Sequence, residues 1–213
     1  MGYLILAINP GSTSTKIAVF EDHKQIFTHT LRHSSEEISS FKKIADQYEF
    51  RKEAITNALN ENNIDLSKIS VIVGRGGVLK PIKSGVYEVN KAMIHDLTIG
   101  VGGEHASNLG GLIASNMASE IPGCKAYIAD PVVVDELSDV ARVSGHPLLP
   151  KVSIFHALNQ KAIAKMYASS EGKDYHSLRL IVAHLGGGVS VGAHLYGKVV
   201  DVNNALNGEG PFS

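Results

Sequence analysis

Apolar, β-rich runs cover Tyr3–Asn9 and Thr15–Glu21, joined by a Pro/Gly/Ser/Thr turn, and Gln25–Arg32 has the pattern of a third strand. Ile38, Phe41, Ile44, Ala45 and Tyr48 recur at helical spacing, as do Ile55, Ala58 and Leu59, against a polar background. Ser70–Gly74 reads as a short buried strand running into the turn Arg75-Gly76-Gly77. After a flexible Gly100-Val101-Gly102-Gly103 run, Ala106, Leu109, Leu112, Ile113 and Met117 predict a helix that ends before Pro122-Gly123. Lys125–Ala129 is a further strand with Asp130-Pro131 at its end. Phe155, Leu158, Ala162, Ile163 and Met166 mark a helix. Leu178–Ala183 and a pair of strands from Val189 to Val202 follow, with His184-Leu185-Gly186-Gly187-Gly188 between them.

A shift of 176 residues lays Ile5-Leu6-Ala7 over Ile181-Val182-Ala183 and pairs Gly11 with Gly187, Ser14 with Ser190, Val19 with Leu195 and Phe20 with Tyr196. Two hairpins with glycine turns also match by chance. If the repeat is real, two duplicated domains each offer a tight turn to a shared cleft.

A chain of 213 residues can hold one large domain or two small ones. Its 44% hydrophobic and 19% charged residues are ordinary for a globular protein. A formal net charge of −1 gives no electrostatic reason to expect nucleic acid or an anionic membrane as partner. The single Cys124 excludes an internal disulfide framework and fits a reducing compartment. Met1–Ile8 is apolar but lacks a basic start and reads as a buried strand, not a signal peptide; no later stretch is long enough to span a bilayer. The expected setting is cytoplasmic.

The strongest candidate for chemistry is Asn9-Pro10-Gly11-Ser12-Thr13-Ser14-Thr15-Lys16. Gly11 allows a tight turn, successive N–H groups can form an anion-binding concavity, and three hydroxyls and Lys16 add donors and charge. It joins strand to strand and lacks the Walker A pattern. A hairpin turn without a ligand is the bland alternative. The glycines of His184–Gly188 suggest close approach to the backbone, by a ligand or by another hairpin. Arg75, between glycines, suits bidentate contact with a carboxylate or phosphate, although arginines also sit in turns for solubility. Asp130 stands at a strand's C-terminal end, where ligands collect in α/β sheets, or else caps a following helix. His156 could reach a phosphate from a helix start. His105 and Asn108 mark a mobile substrate loop or a plain helix entry.

Taken in order, Ile8–Lys16, Gly74–Gly77, Gly103–Leu109, Ala129–Val132, Phe155–Ala162, Ala183–Gly188 and Asn207–Ser213 resemble the acetate and butyrate kinases, most closely the butyrate and branched-chain fatty-acid branch. Two departures from the acetate-kinase pattern point the same way: Gly187 stands where those enzymes carry an asparagine, and the segment before the paired glycines at Arg75 is shorter.

The resemblance implies an α/β, actin-like ATPase (ribonuclease H-like) fold, with a mixed sheet flanked by helices. The domain would be duplicated: residues 1–153 form the first copy and 154–213 an incomplete, nucleotide-binding second copy. It implies ATP and Mg²⁺ as cofactors, a short-chain carboxylate as substrate, and a homo-oligomer. Asn9, Gly11, Ser12, Ser14 and Lys16 would surround the phosphates, with His184, Gly186, Gly187 and Gly188 in the matching turn. Arg75 would orient the carboxylate or the transferring phosphoryl group, Asp130 would help hold Mg²⁺, and His156 would donate to the pentacoordinate phosphorus.

Such kinases continue beyond the point matching Ser213, so the chain reads as a partial form that binds nucleotide poorly and does not turn over by itself. Three rivals stand beside this reading: an acetate- or propionate-specific kinase, a sugar or polyol kinase of the same superfamily, and a non-catalytic fragment or assembly module.

Overall fold

The computed structural model describes residues 2–205, which pack as two compact units. The first holds the chain up to Lys80 together with Val86–Ala129; the second holds Pro81–Gly85 and the chain from Asp130 onward. The compact units part at Ala129/Asp130, and Val134, Leu137 and Phe155 share an apolar cluster with Ala157, Val199 and Val202. The stretch Asn207–Ser213, one of those that carry the resemblance, lies outside the described residues.

The first unit is a six-stranded sheet. Strands β1 (Leu4–Pro10), β2 (Ser14–Glu21) and β3 (Lys24–Arg32) form an antiparallel meander. On its other side β1 pairs in parallel with β4 (Val71–Arg75), and further along come β5 (Val86–Glu88) and β6 (Lys125–Ala129). β4 and β6 are parallel, and β5 closes the edge antiparallel to β6. The order β3-β2-β1-β4-β6-β5 makes a mixed sheet, as the resemblance implies.

Four helices serve this sheet: α1 (Ser35–Ser39), α2 (Tyr48–Glu61), α3 (Lys91–Ile99) and α4 (Asn108–Ser119). Leu6, Ile8, Ile17, Val19 and Ile72 on one sheet face meet Ile55 and Leu59 of α2 and Leu109, Ile113 and Met117 of α4. The last helix lies very close to β4. A Cβ on Gly74 would collide with the Gly110 carbonyl, and one on Gly110 with the Arg75 backbone.

Two helical predictions change. The periodic run Ile38–Tyr48 is broken: Ser34 and Glu37 cap α1 in a reciprocal box, α1 stops at Ser39, and a 3₁₀ turn at Ile44–Gln47 leads into α2. Helix α3 went unpredicted, although Asn90 caps its start through Met93 N–H and Gly100 ends it at φ 66°. Gly100–Gly103 is therefore a packed helix stop, with Val101 N–H bonded to Asp96 O at 3.0 Å.

In the second unit, α5 (Ala157–Ser170) covers an antiparallel sheet of β7 (Arg179–Leu185), β8 (Val189–Leu195) and β9 (Lys198–Val202). Of the apolar residues that mark this helix, Leu158, Ile163 and Met166 are exposed. The buried face of α5 carries Ala157, Gln160, Lys161, Ala164 and Ala168. Alanines let the helix approach the sheet, and its polar members are satisfied. Lys161 Nζ donates to Glu136 Oε2 at 2.6 Å and to Gly197 O at 3.1 Å.

The two hairpins share topology but not the 176-residue register. Pro10 pairs with Thr15 across residues 11–14, whereas Leu185 pairs with Val189 across 186–188 alone. The second turn is shorter, so Ser14 and Ser190 are not equivalent. The next turns correspond at Asp22 and Tyr196, both at φ 51°, each followed by a bulge. The Phe20/Tyr196 pairing therefore fails as well.

The Gly74–Gly110 contact makes a prediction. Gly110→Ala should lower stability by roughly 2–3 kcal/mol, because neither backbone can retreat. Urea denaturation checks this; a loss near zero would contradict the close contact.

Candidate active site

The turn after β1 is built on a buried cation. Arg51, on the inner face of α2, is fully buried. Its Nη1 donates to the carbonyls of Gly11 (2.8 Å) and Ser14 (3.1 Å) and to Thr15 Oγ1 (3.0 Å). Nη2 donates to Ser12 O (3.0 Å) and Gln47 Oε1 (2.9 Å), and Nε also reaches Gln47. Gly11 N–H closes the turn on Ser14 O at 2.7 Å, and His33 N–H donates to Thr13 O at 2.9 Å. Carbonyls are thus drawn inward, and among the described residues the N–H groups of Ser12 and Thr13 have no backbone acceptor. A positive charge beneath outward N–H groups is a cradle for an anion.

Thr15 Oγ1 receives Arg51 and in turn meets His33 Nε2 at 2.9 Å. Burial and the Arg51 charge hold the His33 pKa below its ordinary value, with Glu37 opposing. The imidazole is kept neutral beside the guanidinium.

Beside the turn, Asn9 and Lys16 are cross-strand partners and share a face. Arg75, at the end of β4, donates from Nη1 to Asn9 Oδ1 at 3.3 Å. Burial lowers its pKa, and among the described residues it pairs with no carboxylate. His105 belongs here too: burial, and then the Arg75 charge, lower its pKa, and its Nδ1 accepts from Ser107 N–H at 3.1 Å. Asn108 is a clamp, not a loop residue. Its Oδ1 accepts from Val78 N–H at 2.8 Å and its Nδ2 donates to Gly103 O at 3.0 Å, pinning the Gly76-Gly77 turn to the start of α4. The first unit thus gathers Asn9, Gly11, Ser12, Ser14, Lys16 and Arg75, with Arg51 and His105 added.

In the second unit, Asp130 adopts φ 35°, uncommon for a non-glycine residue and more so before proline. No helix follows it, so the capping alternative falls away. Oδ1 accepts from Ser84 Oγ (2.6 Å) and Gly85 N–H (2.8 Å). Oδ2 takes neither of these bonds and is the oxygen that would meet a metal, and the described residues hold no cluster of three ligand side chains. A single carboxylate oxygen fits Mg²⁺ carried chiefly by phosphates and water.

His156 starts α5 and lies against the 186–188 turn: a Cβ on Gly188 would come within 3.4 Å of its Cε1. Its ring stacks on His184, centroids 3.7 Å apart and planes 9° apart. Asn159 Nδ2 donates to His184 Nδ1 at 2.8 Å. A Cβ on Gly187 would meet nothing, whereas one on Gly186 would sit 3.0 Å from His184 Nε2. His156, His184 and the three glycines therefore form one cluster. A hollow of about 650 Å³ in the same unit is lined by His146, Ile181, Ala193 and Asp201, among others, and by none of these residues.

This chain takes the fold of acetate kinase from Porphyromonas gingivalis (TM-score 0.70, 18% identity, 95% of this chain and 57% of that one). A propionate kinase from Francisella tularensis is alike (TM-score 0.68, 19% identity, 96% and 58%). The fold is therefore the actin-like ATPase fold of those carboxylate kinases. In sequence the chain is 61% identical to butyrate kinase 2 of Clostridium acetobutylicum over 213 residues, 100% of this chain and 60% of that one. The chain is similar to butyrate kinases along its whole length, and it spans about 60% of the length of the curated relatives it matches. No protein-family model matches it. Among the described residues no helix is long and apolar enough to cross a membrane.

Arg51 was missed, yet it left a signal: with Ile55, Ala58 and Leu59 it falls on the buried face of α2, where a charge needs a reason. Arg51→Met strips donors from three carbonyls and Gln47, and should cost about 3 kcal/mol in urea denaturation. A loss below ~1 kcal/mol would contradict the bonding described.

His33 adds a pH dependence. Its folded pKa is depressed, so the unfolded chain takes up the proton first; stability should be flat in this respect above pH ~6.5 and fall below it. His33→Gln should shallow that slope, and an unchanged slope would contradict it.

Proposed function

We propose that the chain is the portion of an ATP-dependent carboxylate kinase that grips phosphate and acceptor, converting butyrate or a branched-chain relative and ATP into an acyl phosphate and ADP, reversibly. The observation that carries the reading is Arg75: a part-buried guanidinium with no carboxylate partner among the described residues, beside an anion cradle. Whole-length similarity to butyrate kinases supports this acceptor over acetate or propionate, and over a sugar.

In this reading Asn9, Gly11, Ser12, Ser14 and Lys16 surround the phosphates, and Arg75 orients the carboxylate or the transferring phosphoryl group. His156 donates to that group, with His184, Gly186, Gly187 and Gly188 in the second turn, and Asp130 helps to hold Mg²⁺. The metal's part is to neutralise phosphate charge. A carboxylate oxygen forms the bond to the γ-phosphorus as the bond to the β–γ bridging oxygen breaks, its electron pair leaving with ADP. The acceptor is already ionised at neutral pH, so no general base is needed, and catalysis rests on positioning and charge. The domain limits 1–153 and 154–213, a cytoplasmic setting, a homo-oligomer, and the absence of nucleic-acid or membrane partners belong to the same proposal.

The test uses a chain of the relatives' full length that carries this segment. ADP release should be faster with butyrate and isobutyrate than with acetate, and absent with glycerol. Arg75→Ala should lower kcat by roughly a hundredfold or more. A glycerol-dependent rate, or near-normal turnover in the variant, would overturn the reading.

A further inference from the structure

Behind His156 runs a chain of side-chain hydrogen bonds for which phosphate binding gives no reason. Ser190 Oγ lies 2.8 Å from His156 Nδ1, and Gln160 Nε2 lies 2.8 Å from the same Oγ and 3.0 Å from Ser190 O. Gln160 Oε1 lies 3.0 Å from His194 Nε2, and Tyr175 Oη lies 2.7 Å from His194 Nδ1. Gln160, Ser190, His194 and Tyr175 are all buried.

The direction of every proton follows from one group that cannot donate. Ser190 O is a carbonyl, so the amide nitrogen of Gln160 must face it, and both N–H bonds of that nitrogen are spent on Ser190. Gln160 Oε1 then accepts, and His194 must carry its proton on Nε2. Burial pushes the His194 pKa down to about 4, with Lys161 adding to the effect and Glu136 opposing, so the ring is neutral and Nδ1 accepts from the Tyr175 hydroxyl. On the other side, Ser190 Oγ receives Gln160 Nε2–H and, at 3.4 Å, His156 N–H. Its own proton has no other acceptor among the described residues than His156 Nδ1.

We propose that Tyr175, His194, Gln160 and Ser190 act as a positioning relay that holds the neutral His156 imidazole as the Nε2–H tautomer, its Cε1–Nε2 edge facing the 186–188 glycine turn. A hydrogen-bond donor, and not an acceptor, is thereby presented at that turn, which is the polarity an anionic oxygen requires. Gly192 belongs to the relay: a Cβ there would run into Gln160 Oε1 and come within 3.3 Å of His194 Nε2. The relay's use in phosphoryl transfer rests on the role proposed for His156; the tautomer itself does not.

Long-range ¹H–¹⁵N correlation spectra of the histidine-labelled chain read the tautomer without any turnover. His156 should show a pyrrole-type Nε2 and a pyridine-type Nδ1, and His194 the same pattern. Ser190→Ala should shift His156 toward a mixture of tautomers, Ser190→Thr should restore the single form, and Gly192→Ala should disturb His194 and His156 together. A pyrrole-type Nδ1 on His156 in the unsubstituted chain would overturn the relay even if no variant folds, as would an unchanged His156 spectrum in a folded Ser190→Ala. Normal turnover in a chain of the relatives' full length carrying Ser190→Ala, with the predicted spectral change present, would instead count against the role of His156.

Discussion

The candidate site of the first unit depends on a single buried positive charge. Arg51 has no carboxylate partner among the described residues, and a lone buried cation is unfavourable unless dipoles surround it. The carbonyls of Gly11, Ser12 and Ser14 supply those dipoles, which forces the peptide planes of the turn to point their N–H groups the other way. The electrostatic requirement of a core residue thus shapes the surface turn. It also leaves positive potential just below that surface, where an anion would be held.

The second unit repeats the principle with neutral groups. Helix α5 sends Gln160 from its buried face to the hairpin, as α2 sends Arg51. In each case a helix that could have been packed wholly with aliphatic side chains instead devotes inward positions to polar ones, fully hydrogen-bonded. Partly satisfied networks of this kind are costly and fully satisfied ones are rigid, so both turns are fixed from behind. Glycines complete the arrangement where backbones must touch: Gly74 against Gly110, and Gly192 against the Gln160 amide.

Strand periodicity made most of the first sheet legible, because β1, β2 and β4 alternate or run apolar in the manner of buried strands. Short elements were not: β5 has three residues, too few for any period to show. Helix α3 escaped because Gly100 was read as flexibility when it is a left-handed stop. The helix α5 was legible but its inner face was not, since hydrophobicity marks Leu158, Ile163 and Met166 and cannot register that Gln160 and Lys161 are inside with partners. The same blindness hid Arg51. Arg75, Asp130, His156 and the two glycine turns stand out as candidates by residue type and position, whereas the supports behind them are long-range and have no local signature.

The Arg51-backed turn should bind anions through its outward N–H groups. Titrating the ¹⁵N-labelled chain with inorganic triphosphate, and following the amides by ¹H–¹⁵N correlation, measures this directly. Saturable shifts concentrated at Ser12 and Thr13 are expected, and they should vanish in a folded Arg51→Gln variant. Uniform small shifts across the chain, or shifts at that turn which survive the loss of Arg51, would contradict it.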